Sequence, residues 1–169
     1  MQQQEIKVRR ARPGDAAKIA AFVNNAWRGQ QKIDDMAVIE RFGNVGFLLA
    51  EQGGELIGML GWMAENLVVG LTDLLIGAAA DRIAVSHVLL DAMEQAADEL
   101  QCEAVLVFLP RPTPPALIEF CKEIGYQPEV VSSLSAMWQE TARGGGLADD
   151  DTIMVKRLRE GLVFRPFNM

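Results

Sequence analysis

The sequence predicts an α/β fold on a mixed sheet, α+β in character, with element order β-α-α-β-β-β-α-β-α-β-β. Three observations carry that expectation. Val85, Val88, Leu89, Ala92, Met93, Ala96 and Leu100 recur at three and four, while Asp91, Glu94, Gln95, Asp98 and Glu99 fill the opposite side, as in an amphipathic helix. Directly after it, Glu103 opens an apolar run through Leu109 that Pro110 closes, which reads as a buried strand. Ahead of it, residues 45–76 hold apolar stretches parted by turn residues, the pattern of a meander. A helix crossing between two strands makes those strands parallel neighbours.

Taken in order, Glu5 to Arg12 alternates, with Ile6, Val8 and Arg10 on one face and Lys7 and Arg9 on the other, as a strand with one solvated face does. Pro13-Gly14-Asp15 breaks it, and Asp15 is the expected N-cap of a helix from Ala16 to about Trp27 that turns Ile19, Phe22, Val23 and Ala26 inward. A second helix from Asp34 or Asp35 to Phe42 should bury Met36, Ile39 and Val38. Val45 to Glu51 and Glu55 to Met63 bracket Gln52-Gly53-Gly54, a hairpin whose glycines supply positive φ. Leu67 to Ile76 continues the meander, and Gly77 to Asp81 leads into the amphipathic helix. Pro114 and Pro115 suit the first turn of a helix through Ile124, closed by Gly125. Tyr126 to Val131 and Thr152 to Leu158 form the last strand pair, joined by the long connection Ser132 to Asp151 with its Gly144-Gly145-Gly146 and Asp149-Asp150-Asp151 runs.

Composition bounds the function. At 169 residues, 50% hydrophobic and 23% charged, the chain suits one domain, with a core over about residues 5–158 and a tail over 159–169. A formal charge of −7 has the wrong sign for a nonspecific nucleic-acid binder. Two cysteines, Cys102 and Cys121, and one histidine, His87, argue against a disulfide scaffold, a zinc site or a His-rich metal centre, so no metal and a reducing cytoplasm are expected. Met1 to Arg10 lacks the apolar stretch of a secretory signal. Leu56 to Ala80 is interrupted by Glu65, Asn66, Thr72 and Asp73, so no membrane span is expected.

The element order, the Pro13-Gly14-Asp15 turn, the central strand-loop-helix, the phrase Phe120-Cys121-Lys122-Glu123-Ile124-Gly125-Tyr126 and the closing Met154-Val155-Lys156-Arg157-Leu158 together resemble the GNAT superfamily of N-acetyltransferases, over about residues 5–158. The resemblance implies a splayed mixed sheet that takes the pantetheine arm of acetyl-CoA, with the pyrophosphate at the N-terminus of the central helix. A helix N-terminus offers unpaired N–H groups and about half a positive charge, which suits a pyrophosphate. Similar enzymes carry Arg or Gln, two residues, Gly, one residue, then Gly or Ala in that loop. Here Asp81 stands at the basic position, followed by Arg82 and Ile83, then Ala84 and Ser86 at the glycine positions around Val85. Asp81 would repel a phosphate, and its alternative role is a helix N-cap. Arg82 is the candidate phosphate contact, and His87 either touches a phosphate or satisfies a polar edge.

Transfer from a thioester to an amine needs a base, a donor that polarises the carbonyl and an acid for the thiolate. The resemblance implies acyl-donor contacts at Leu75, Ile76 and Gly77, with the Ile76 or a neighbouring N–H as polariser, and a carboxylate base at Asp73. Glu65 is a second base candidate, and Cys121 falls where a general-acid tyrosine is usual; a turn residue and a packing thiol are the alternatives. Trp27 and Arg28 border the expected acceptor pocket. Two classes follow: an N-acetyltransferase acting on a small amine or a protein amine, or a noncatalytic GNAT-like binding or assembly module with an altered CoA groove. A homodimer is expected through strand six or seven, with Leu162 to Phe167 as a docking segment.

Overall fold

Among the described residues seven strands, β1 (Lys7–Arg10), β2 (Gly46–Gln52), β3 (Glu55–Glu65), β4 (Val68–Ile76), β5 (Ala104–Val107), β6 (Gln127–Val130) and β7 (Thr152–Arg157), are hydrogen-bonded in the order β1-β2-β3-β4-β5-β7-β6. The structure, a computed structural model, describes residues 5–26, 33–42, 45–109 and 112–159. Two compact units divide the chain, Met1–Met63 with Leu71–Met93 and Ala64–Gly70 with Glu94–Met169, so β3, β4 and the central helix α3 (Arg82–Glu99) each supply residues to both.

In the first unit β1 (Lys7–Arg10) pairs antiparallel with β2 (Gly46–Gln52), and β2 with β3 (Glu55–Glu65). Gly53 and Gly54, at φ 61° and 81°, make the hairpin turn, in the left-handed region that glycine enters without strain. The amphipathic stripe of α1 (Ala16–Ala26) buries Ile19 and Val23 against Phe47, Leu49 and Met59, each such side chain contributing roughly 1.5–3 kcal/mol. On α2 (Asp35–Arg41) the expectation fails in part: only Val38 is buried, while Met36 and Ile39 are 61% and 41% exposed. Seven residues make only about two turns, and one of its faces meets the core. Asp34 caps α2 by accepting the Ala37 N–H at 2.9 Å. Asp15 is not the cap of α1. It lies in a 3-10 turn, Pro13–Asp15, that runs straight into α1, and its carboxylate reaches back to the Arg12 N–H at 2.7 Å.

β4 (Val68–Ile76) follows the tight turn at Asn66 and Leu67, both at positive φ, and Gly77 then donates to the Ile57 carbonyl at 2.8 Å. The first turns of α3 (Arg82–Glu99) lie close against β3: a Cβ on Gly58 would come within 2.6 Å of Val85 Cγ1. Val85, Leu89 and Met93 are buried, as their spacing predicts.

Within the second unit β5 (Ala104–Val107) pairs antiparallel with β7 (Thr152–Arg157), and β7 with β6 (Gln127–Val130). Leu100, expected inward, is 52% exposed because the chain leaves α3 at that point. Helix α4 (Pro115–Glu123) ends as predicted, with Gly125 at φ 99° and the Tyr126 N–H donating to the Cys121 carbonyl at 2.9 Å. The element order differs at one place: the connection after β6 holds a helix, α5 (Ala136–Gly144), whose Ala142 packs with Val131, Leu134 and Ile153. Two of the three glycines at 144–146 therefore close a helix rather than make up an open loop. β7 has neighbours on both sides, so of the two strands expected at an edge only β6 is one, and Pro128 there removes an N–H.

Candidate functional site

At the start of α3 the capping alternative for Asp81 is realised: its carboxylate accepts the Ala84 N–H at 3.1 Å. The stretch matched to a phosphate loop is thus wound into the first turn of a helix, with Arg82, Ile83 and His87 exposed, Ala84 half-buried, and Val85 and Ser86 buried. A phosphate approaching this end would meet Arg82 and the first backbone N–H groups of the helix, but not the Ser86 side chain. It would compete with Asp81 for the Ala84 N–H. Leu75, Ile76 and Gly77 lead into this turn, all half-buried. The Gly77 N–H is already spent on the Ile57 carbonyl and is not free to polarise an acyl group.

On β4, Asp73 is held by a partner that sequence reasoning missed. Arg41, at the end of α2, donates from both terminal nitrogens to the two Asp73 oxygens, at 3.2 and 2.6 Å, and Thr72 Oγ1 donates to Oδ2 at 2.8 Å. Phe47 lies beneath the guanidinium, 5.4 Å from its ring centroid. Gly61 makes the room, since a Cβ there would stand 2.5 Å from Asp73 Oδ2. The pair borders a small cavity of about 80 Å³ whose other walls include Ile19, Val23, Val38, Met59 and Leu75. No local signal announces Arg41, because its partner is 32 residues away.

A larger, open depression of about 710 Å³ lies along β1 and the β2–β3 turn, and its lining includes none of the candidate site residues. Beside it Arg9 pairs with Asp15 and Glu51, and Lys18 with Glu51. The Arg9 guanidinium pulls the Asp15 carboxyl down to about 2, and Lys18 with Arg9 lowers Glu51.

Glu65 and Cys121 belong to the second unit. Glu65 is exposed at the end of β3. Cys121 is 3% exposed, and burial pushes its thiol up, which keeps it protonated at neutral pH. Tyr126 is fully buried and donates to Glu94, whose carboxylate also takes Lys156 at 3.0 and 3.1 Å, so these three groups satisfy one another. Trp27, Arg28 and the segment Leu162 to Phe167 lie outside the described residues. Among the described residues no His, Cys, Asp and Glu group is placed to hold a metal ion, and no helix is long and apolar enough to cross a membrane.

No family model matches the sequence, and no curated protein matches it. Solved structures do. An acetyltransferase of the GNAT family from Staphylococcus aureus matches with a TM-score of 0.68 at 13% identity, over 92% of this chain and 100% of that one. The PaiA N-acetyltransferase of Thermoplasma acidophilum, in complex with coenzyme A, gives 0.66 at 14% identity over 90% and 99%. Rv2747 of Mycobacterium tuberculosis, also in complex with CoA, gives 0.67 at 18% over 90% and 99%. At such identities the likeness is one of fold: the chain has the GNAT acyl-CoA N-acyltransferase fold that its motifs resemble.

Proposed function

We propose that this protein is an acyl-CoA-dependent N-acetyltransferase that moves an acetyl group directly from acetyl-CoA to an amine. The observation that carries the reading is the likeness of nine-tenths of the chain to solved structures that hold CoA, one of them an N-acetyltransferase. Acetyl-CoA supplies the thioester: the amine nitrogen forms the C–N bond, the C–S bond breaks, the amine gives up a proton and the thiolate gains one. Arg82 and the first N–H groups of α3 hold the pyrophosphate, with Asp81 swung off the Ala84 N–H, and the Ile76 N–H faces the carbonyl oxygen. Asp73 is the acceptor-side carboxylate. A carboxylate has about four lone-pair positions, of which Arg41 and Thr72 use three, so one remains for an ammonium or its proton. Glu65 is the alternative base. Burial favours Cys121 as a packing residue, with water then returning the proton to sulfur. A cytoplasmic setting fits its two unpaired cysteines.

The noncatalytic reading has one observation in its favour, the Asp81 carboxylate on the N–H that a phosphate would use. Incubating the protein with acetyl-CoA and a panel of amines, and following CoA thiol release, decides between the two. Amine-dependent release supports the transferase, and its absence for every amine, with no CoA bound, supports the module. Both cysteines are buried, which keeps the protein's own thiol background low.

A further inference from the structure

Beside Asp73 the chain builds something more selective than a base. An exposed arginine and a carboxylate form a bidentate pair at the rim of an otherwise apolar cavity, and the two side chains are 47% and 23% exposed. Neither charge is used up by the other. Arg41 has five N–H donors and spends two nitrogens on Asp73, while Asp73 retains an acceptor position. The guanidinium carbon also lies over the Phe47 ring, 5.4 Å from its centroid, a second contact that limits where the side chain can go. The cavity beneath, about 80 Å³, has the volume of roughly two or three waters, about the space of a small branched aliphatic group.

We propose that this cavity receives the acceptor, and that the acceptor is a small α-amino acid with a branched aliphatic side chain. The inference rests on the transferase reading and narrows it to a substrate class. In a free α-amino acid the ammonium and carboxylate are both carried by the α-carbon, so one small molecule presents opposite charges side by side to the two members of the Arg41–Asp73 pair. The ammonium lies against Asp73 and the carboxylate against the free edge of Arg41, so four alternating charges close a ring without separating the protein's own pair. The side chain then points into the pocket walled by Ile19, Val23, Val38, Phe47, Met59 and Leu75. A simple amine would satisfy Asp73 alone, and a plain carboxylic acid would meet Arg41 but face Asp73 with a like charge.

The test is calorimetric titration of the full chain with L-valine, with isobutylamine, which keeps the side chain and ammonium but has no carboxylate, and with acetyl-CoA separately. Valine should bind at least tenfold more tightly than isobutylamine. Arg41→Gln should remove that preference, Arg41→Lys should restore part of it, and Asp73→Asn should weaken both ligands. Thermal melting of each variant checks that it is folded. Equal binding of valine and isobutylamine, or valine binding untouched by Arg41→Gln, overturns the proposal. So does acetyl-CoA binding with no valine binding, which leaves the transferase reading standing. Valine binding that depends on Arg41, without acetyl-CoA binding or turnover, sustains the pocket and overturns the transferase reading instead.

Discussion

Asp81 is the sharpest point at which this chain meets the chemistry of its fold. Its carboxylate accepts the Ala84 N–H at 3.1 Å, so a pyrophosphate at the start of α3 must first displace it. Swung aside to about 6 Å from a phosphate oxygen, it would still repel a unit charge by roughly 3 kcal/mol at an effective dielectric near 20. Asp81 is exposed, and salt and water reduce this to about 1.4 kcal/mol, a factor of ten in affinity. Asp81→Asn keeps a good cap and removes the charge, so CoA should bind about tenfold more tightly with stability nearly unchanged. Asp81→Ala removes charge and cap together: affinity should rise similarly while about 1 kcal/mol of stability is lost. Calorimetric titration with CoA reads affinity directly, and a denaturant melt reads the cap. Unchanged CoA affinity in both variants would refute the reasoning, because the charge would then not be what opposes the phosphate.

Three further outcomes follow from the geometry. Asp73→Asn should lower turnover by about a hundredfold while leaving acetyl-CoA affinity unchanged, since the carboxylate acts on the acceptor; steady-state kinetics with an acetyl-CoA titration checks it. Gly58→Ala should destabilise the protein by roughly 1–3 kcal/mol, because the added methyl would stand 2.6 Å from Val85 Cγ1; an unaltered melting temperature would count against that packing. Asp15, pulled down to about 2 by Arg9, adds stability above its unfolded titration near pH 4. That contribution, on the order of 1 kcal/mol after solvent screening, is lost as the pH falls from about 4 to about 2, so Asp15→Asn should be less stable than the parent at pH 6 and equal to it near pH 2.

Much of the fold was legible because its signals are local. The Gly53-Gly54 turn, the period of α3, the proline-opened and glycine-closed α4 and the apolar run of β5 each announce one element in their own residues. Helix α5 was missed because Gln139, Glu140, Arg143 and Gly144 make it polar, and its inward face is Trp138, Thr141 and Ala142, with one large apolar side chain rather than a row of them. Met36 and Ile39 misled because hydrophobicity gives a preference for burial, whereas a two-turn helix has only one side against the core. The capping role of Asp81 was readable from helix-start chemistry. Arg41 was not readable: nothing in its neighbourhood marks it, and only folding brings α2 beside β4 to set it against Asp73.

The central claim, that this fold takes an acyl-CoA, is tested most directly by titrating the purified protein with acetyl-CoA and with CoA while recording its melting temperature. A ligand that binds the folded state alone at a hundred times its Kd adds about 2.7 kcal/mol, so the melting temperature should rise by several degrees with both ligands. No rise at millimolar concentrations of either, in the parent and in Asp81→Asn alike, would contradict the claim.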